Sequence, residues 1–369
     1  MRVLLLGATG SIGRRVAGEL VRNEKVREVI VAGRRKESLD RLTSILGSES
    51  IRTVLVDATE PDDVADAAEG CDVIASAAGP GYALEASSIE GALRAGTNYV
   101  SLNDDAEATV DALARNDRAE ASGVAVVSGC GASPGITNLL VSRARARIGE
   151  VDEVGVAFAA SAAESTGAAS ALHLAHSLGS DAIEVDSGQE VTERAGSKPR
   201  PVFFPDPVGW VETFRTGHPE IAYLRRQYPS AQTLGFRIGL TEKAVMDVLR
   251  ASAASRLFDG EARRQTWLRV TSPLRPFFTS LPPRGSRWSA LRVNVWGRNG
   301  GAQEVSFGAA DHIANLAAIP LALAAVELGS GAARRPGVLA PDEAFDARDL
   351  LRQITQRGVR IAVLEAERL

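Results

Sequence analysis

Three glycines stand at GxxGxxG spacing in Gly7-Ala8-Thr9-Gly10-Ser11-Ile12-Gly13, directly after the apolar run Arg2 to Leu6 and at the opening of a helical pattern. Glycine lets the backbone turn tightly and approach a ligand closely, while a helix N-terminus offers unpaired N–H groups and the positive end of a dipole. A strand, such a loop and a helix, in that order, form a cradle for a diphosphate. Gly7, Thr9, Gly10, Ser11, Ile12 and Gly13 are therefore expected to hold a dinucleotide; the bland alternative is a plain strand-to-helix turn.

The end of the second apolar run selects the nucleotide. An acid there would bind a ribose 2′-hydroxyl and favour NAD. The residues present are Ala32-Gly33-Arg34-Arg35-Lys36. Two planar guanidinium forks match a 2′-phosphate, so Arg34 and Arg35 point to NADP(H), unless they are simply solvated residues at a helix start. Asp57 and Ala58 follow the third run, where Asp57 would reach the adenine edge or cap the next turn. Ala77-Ala78-Gly79-Pro80 follows the fourth, where the carboxyl edge of a sheet meets the nicotinamide half; small residues at Ala78, Gly79 and Pro80 suit a close approach.

These loops need a frame, and the sequence supplies one. Short apolar runs at Arg2 to Leu6, Glu28 to Ala32, Thr53 to Val56, Asp72 to Ala75, Tyr99 to Ser101 and Val124 to Val127 alternate with helical patterns. Strands apolar nearly throughout are those of a parallel sheet covered on both faces, and right-handed crossovers make it doubly wound. Beyond the loop Gly129 to Gly135 and a helix to about Ile148 the pattern changes. Runs at Val202 to Thr216, Thr233 to Ile238, and Trp288 to Trp296 joined to Gln303 to Phe307 through Arg298-Asn299-Gly300-Gly301 predict a mainly antiparallel sheet. Helices near Gly167 to Ser177 and Thr241 to Leu257 would cover it, and the proline-rich stretches Lys198 to Pro207 and Ser272 to Arg287 are expected as loops. The fold class is thus α/β: an N-terminal Rossmann doubly wound parallel sheet and a second α+β domain with a mainly antiparallel sheet. The expected limits are 1–130, 131–335, and a C-terminal segment 336–369, a helix and a strand, packing back on the first domain.

Bulk properties agree. The 369 residues exceed what one core comfortably holds, and 45% hydrophobic with 24% charged residues is a globular balance. A net charge of −4 gives no reason to expect a nucleic acid or an anionic membrane as partner. Cys71 and Cys130 form no CxxC pair, which suggests neither zinc nor a disulfide scaffold and fits a reducing compartment. The opening apolar run is too short and too early for a secretory signal, and Ile313 to Leu328, interrupted by Asn315, Pro320 and Glu327, reads as a buried helix, so a cytoplasmic location is expected. No metal site is expected: His173 and His176 lie three apart with no third ligand evident.

The GATGxxG start also suggests an extended short-chain dehydrogenase, which needs a tyrosine with a lysine four residues on. Tyr82, Tyr99, Tyr223 and Tyr228 are followed at that distance by Ala86, Asn103, Gln227 and Gln232, so that mechanism is absent.

Other motifs point elsewhere. Ala95-Gly96-Thr97-Asn98-Tyr99-Val100, Gly131-Ala132-Ser133-Pro134-Gly135, Gly217-His218-Pro219-Glu220 and Pro336-Gly337-Val338-Leu339-Ala340-Pro341-Asp342-Glu343 occur in order behind the Rossmann start. Together they resemble segments of the saccharopine dehydrogenase and carboxynorspermidine dehydrogenase family over nearly the whole chain. The resemblance implies a substrate-binding and dimerisation domain, a homodimer, and hydride exchange between NADP(H) and a carbon bound to nitrogen in a small metabolite. The chain departs from the family where Ser133 and Ser101 replace aspartates. An aspartate in the 131–135 loop would hold a cationic amine, so its loss favours a neutral or differently charged substrate.

Hydride transfer needs a carbon held against the nicotinamide and a donor for the heteroatom. Asp104, Cys130 and Ser133 lie on loops after strand ends and are the catalytic candidates. Asp104 would steady an iminium or relay a proton, or else cap a helix with Asp105; Cys130 is equally a small packing residue. Asn103, Ser133 and His218 are the substrate-side candidates. Beside imine reduction, a trans-acting enoyl reductase and a non-catalytic NADP(H)-binding regulator stay open.

Overall fold

The structure, a computed structural model, describes residues 1–164, 168–274, 277, 280, 287–298, 304–331 and 335–365. Its elements run β1 (Arg2–Leu6), α1 (Ser11–Val21), β2 (Glu28–Gly33), α2 (Lys36–Leu46), β3 (Ile51–Leu55), α3 (Pro61–Ala67), β4 (Val73–Ser76), α4 (Gly81–Ala95), β5 (Asn98–Ser101), α5 (Ala106–Leu113), α6 (Asn116–Ala121), β6 (Ala125–Val127) and α7 (Ile136–Ile148). There follow β7 (Val151–Ala160), α8 (Ala168–Gly179), β8 (Asp181–Asp186), β9 (Gln189–Arg194), β10 (Arg200–Phe204), β11 (Gly209–Arg215), α9 (Glu220–Gln227), β12 (Thr233–Leu240), α10 (Lys243–Ala254) and α11 (Glu261–Thr271). The last elements are β13 (Ser289–Gly297), β14 (Glu304–Asp311), α12 (Ile313–Gly329), β15 (Gly337–Leu339), α13 (Pro341–Ala344), α14 (Ala347–Gln356) and β16 (Arg360–Leu364).

The first of two compact units comprises Met1–Leu139 with Ala314–Arg357. Its seven strands lie in the order β15-β6-β5-β4-β1-β2-β3, all parallel. The order reverses between β1 and β4, the switch point at which a doubly wound sheet opens a crevice at its carboxyl edge. β1 and β4 are buried on both faces, hence their runs of Val, Leu, Ile and Ala without alternation. The core gathers Leu4, Leu6, Ile30, Ile74, Ile89, Tyr99, Val126 and Val338. Local signals set the helices: Pro61 with Asp62 and Asp63 opens α3, where a proline lacks the N–H that would be unpaired and acids meet the positive dipole end.

The second unit comprises Leu140–Ile313 with Gly358–Leu369. Its mixed sheet runs β10-β11-β12-β7-β13-β14-β16, with β8 and β9 branching from β12. The pairing is antiparallel except between β12 and β7, which run parallel at its centre. β13 and β14 form the expected antiparallel pair, Val293 opposite Phe307, although the residues 299–303 proposed to join them lie outside the described ones.

Three expectations are corrected. The unit limits are not 130 and 335: α12 goes with the first unit from Ala314 onward, because an element apolar on nearly all sides must be enclosed, whereas β16 pairs with β14 (Ala309 opposite Ile361) in the second. The single run 202–216 is two strands, β10 and β11, folded as a hairpin. The stretch 198–207 is not all loop, since β10 runs through Pro201 at the edge of the sheet, where a residue without an N–H costs no ladder bond. No described helix is long and apolar enough to cross a membrane.

Candidate functional site

The turn out of β1 is built by crowding. Gly7 has φ +69°, and a Cβ there would stand 2.5 Å from the Ala78 nitrogen and 2.6 Å from the Ala77 carbonyl carbon. A Cβ on Gly13 would stand 2.1 Å from the Gly7 oxygen. These two glycines let the loop wedge between the exit of β4 and the first turn of α1. Gly10 differs: it is exposed, and its Cβ would meet only the Gly7 oxygen, at 3.2 Å. Gly10 also caps the eleven-residue α1 with no side-chain hydrogen bond and no acid in the first turn. A helix start left without a side-chain cap, behind an exposed glycine with open space over it, fits a diphosphate. Arg14 closes the rim by donating from Nε to the Thr9 carbonyl at 2.9 Å.

β2 delivers the two arginines to the same edge. A Cβ on Gly33 would lie 3.7 Å from Thr9 Oγ1, so the strand end adjoins the loop. Arg34 and Arg35 follow it, both exposed, with Arg35 at the N-cap of α2. Asp57 accepts from the Thr59 N–H at 3.1 Å and hydroxyl at 2.9 Å, which hold its carboxyl below the usual range, with the Arg34 charge adding to the effect. The Ala58 carbonyl is taken by the Ser87 hydroxyl at 2.6 Å. Ala78 and Pro80 are half-buried and Gly79 is exposed, on the segment from β4 to α4.

Several chemistry candidates have other work. Cys130 is fully buried, and burial alone pushes its thiol up to about 12, so it packs and is not a catalytic nucleophile or acid. A thiol reagent at neutral pH is accordingly expected to leave Cys130 unmodified in the native protein and to label it once denatured, as mass analysis of the peptides would read. Asn103 is also no substrate ligand: it is buried, and its Nδ2 donates to Thr109 Oγ1 at 2.8 Å and Ser128 Oγ at 3.1 Å while its Oδ1 accepts from the Asp105 N–H. His218, in the second unit, stacks on Phe236 with ring centroids 3.5 Å apart, and its Nδ1 accepts from the Glu220 N–H at 3.3 Å. The ring is nearly buried there, as a packing group. The cap of α5 falls to Asp105, which accepts from the Ala108 N–H at 2.9 Å, leaving Asp104 partly exposed beside it. Ser133 is partly exposed, its Oγ 3.3 Å from Thr137 Oγ1.

One residue escaped sequence reasoning. Glu85 on α4 is 3% exposed, and its carboxyl group receives Tyr99 OH at 2.9 Å, Ser101 Oγ at 2.6 Å and Ser128 Oγ at 2.7 Å. Burial pushes its pKa up, against the three hydrogen bonds. The available signal was an acid on the face of α4 otherwise made of Ser88, Ile89 and Ala92.

Comparison with known proteins agrees with this geometry. Residues 3–127 match the family described as "Saccharopine dehydrogenase NADP binding domain". The apo saccharopine dehydrogenase (L-Glu forming) of Saccharomyces cerevisiae superposes with a TM-score of 0.67 at 15% identity, over 98% of this chain and 99% of that one, and so shares its fold. Pen from Bacillus thuringiensis (TM-score 0.31, 17% identity, 34% of this chain and 50% of that one) and vestitone reductase from alfalfa (0.24, 26%, 27% and 35%) are similar only over a part. Residues 3–127 thus match a saccharopine dehydrogenase-type NADP-binding domain, and the chain as a whole shares the saccharopine dehydrogenase fold.

Proposed function

We propose that this protein reduces a C=N bond, or a related polarised double bond, of a small metabolite with NADPH. What carries the reading is the α1 N-terminus without a side-chain cap, behind its three glycines and beside the exposed Arg34 and Arg35. Bound there, NADPH would supply the hydride. The main chain at Gly7, Thr9, Gly10, Ser11, Ile12 and Gly13 would hold its diphosphate and the two arginines its 2′-phosphate. Asp57 and Ala58 would flank the adenosine half, and Ala78, Gly79 and Pro80 the nicotinamide, because they leave the strands on either side of the switch point. Asp104 and Ser133, partly exposed at the same edge of the sheet, are the groups left to meet a substrate. An acid at Asp104 can donate to the nitrogen or oxygen that gains electrons, while a hydroxyl at Ser133 brings no charge to fix an ammonium. The family resemblance supports a homodimer, and two cysteines with no disulfide between them support a cytoplasmic setting.

The test is NADPH oxidation by the purified protein against matched imine, ketone and enoyl panels. Turnover confined to the imines, lowered by at least about 100-fold in Asp104→Asn, is the expected result. Turnover of enoyl substrates alone would move the assignment to C=C reduction, which the uncharged Ser133 does not disfavour. Tight NADPH binding with no oxidation by any panel would make the protein a nucleotide-binding regulator.

A further inference from the structure

The three loops at the nicotinamide side of the sheet are tied together by one buried carboxyl group. Ser101 ends β5 and Ser128 follows β6, and both hydroxyls converge on Glu85 Oε1. The direction of each bond follows from counting protons. Ser101 Oγ already accepts the N–H groups of Asn103 at 3.2 Å and Gly129 at 3.3 Å, so its single proton goes to Glu85. Ser128 Oγ accepts from Asn103 Nδ2 and likewise donates to Glu85. Oε1 therefore receives two donors and has no room for a proton of its own. Only Oε2, facing the Tyr99 hydroxyl, can carry one.

This knot joins the start of α4, and hence the segment 77–80, to the loops 102–105 and 129–135. Asp104 stands close enough for its charge to act on Glu85. We propose that Glu85 is a positioning residue for the nicotinamide end of the cofactor, locking in place the loops that bear Ala78 to Pro80, Asp104 and Ser133 without itself touching the ligand. The inference rests on the NADP(H) reading above. It separates the two ends of the nucleotide: the diphosphate and the 2′-phosphate are held by residues 7–13 and 34–35, which the knot does not include.

Side-chain chemistry tells the variants apart. Glutamine can set its carbonyl at Oε1, accepting both serines, and its NH2 at Oε2, donating to the Tyr99 oxygen; it copies the acid protonated at Oε2, a form that burial of Glu85 favours. Alanine leaves two buried hydroxyls without an acceptor. NADPH and its analogue lacking nicotinamide, 2′-phosphoadenosine diphosphoribose, are titrated against wild type, Glu85→Ala, Glu85→Gln and Ser128→Ala. For Glu85→Ala, NADPH is expected to weaken by about 10-fold or more while the analogue stays within about 3-fold, and the rise in NADPH fluorescence anisotropy that marks a held nicotinamide ring is lost. Glu85→Gln keeps both, and Ser128→Ala moves in the same direction as alanine by about 3-fold or more. Should Glu85→Ala fail to fold, the Gln and Ser128 variants decide. Equal loss of both ligands, or no loss of NADPH in Ser128→Ala and Glu85→Ala, overturns the proposal. Wild-type protein that binds neither ligand overturns the cofactor reading itself, an outcome separate from any selectivity in the variants.

Discussion

Replacing Arg34 and Arg35 together by alanine raises the dissociation constant for NADPH by about 100-fold and leaves that for NADH within about 3-fold, since each charge-assisted bond to phosphate is worth about 1.5 kcal/mol or more. The two nucleotides differ only at the ribose 2′ position, and both guanidinium groups stand exposed at the end of β2, where that position falls in a doubly wound sheet. The selectivity should shrink as salt rises, because exposed charges are screened. Calorimetric titration with both nucleotides reads it directly. Equal weakening of the two would assign the arginines to the helix surface and remove the 2′-phosphate from their role.

The second large effect separates folding from binding within one loop. Gly13→Ala places a methyl 2.1 Å from the Gly7 oxygen and 2.9 Å from the Gly7 carbonyl carbon, both backbone atoms that cannot swing away. The α1 helix must then lift from β1, at a cost of about 3 kcal/mol, so the melting temperature falls and nucleotide binding goes with it. Gly10→Ala meets a single oxygen at 3.2 Å, and its methyl otherwise meets open space. Its melting temperature is expected to stay near wild type while NADPH affinity drops by about 30-fold, or about 2 kcal/mol. Thermal unfolding beside titration distinguishes the pair. A Gly10→Ala protein that binds normally would show that the diphosphate does not sit over this residue.

How far the sequence reaches follows from the range of the interactions involved. The β1 loop and α1 are plain in the sequence because the glycines that mark them lie within seven residues, although the crowding by Ala77 and Ala78 that demands Gly7 does not, and Arg34 and Arg35 are plain because they directly end a strand. The alternation of apolar runs with helices likewise places six of the seven parallel strands within a few residues. Glu85 is invisible for the opposite reason: its partners sit 14, 16 and 43 residues away and meet it only after α4 packs against two aligned strands, β5 and β6. Asn103 looked like a ligand because it follows a strand end, a position that in this fold serves equally to tie two loops together. The same holds for Cys130, whose backbone N–H bonds Ser101 while its side chain is sealed off. In the second unit, the prolines of 198–207 argue for a loop, yet β10 forms through Pro201 because it lies at an edge, which only the assembled sheet decides.

The first unit is written into the chain in two pieces. β15 is added beyond β6 from residues more than 200 positions downstream, and α12 supplies the buried Leu316, Ile319, Leu321 and Leu328 from a similar distance. A ribosome that has released the first 139 residues has therefore produced a sheet with one naked margin and an uncovered greasy flank. Both stay exposed until residues 314–357 have been made, so the first unit closes only after most of the second has been synthesised.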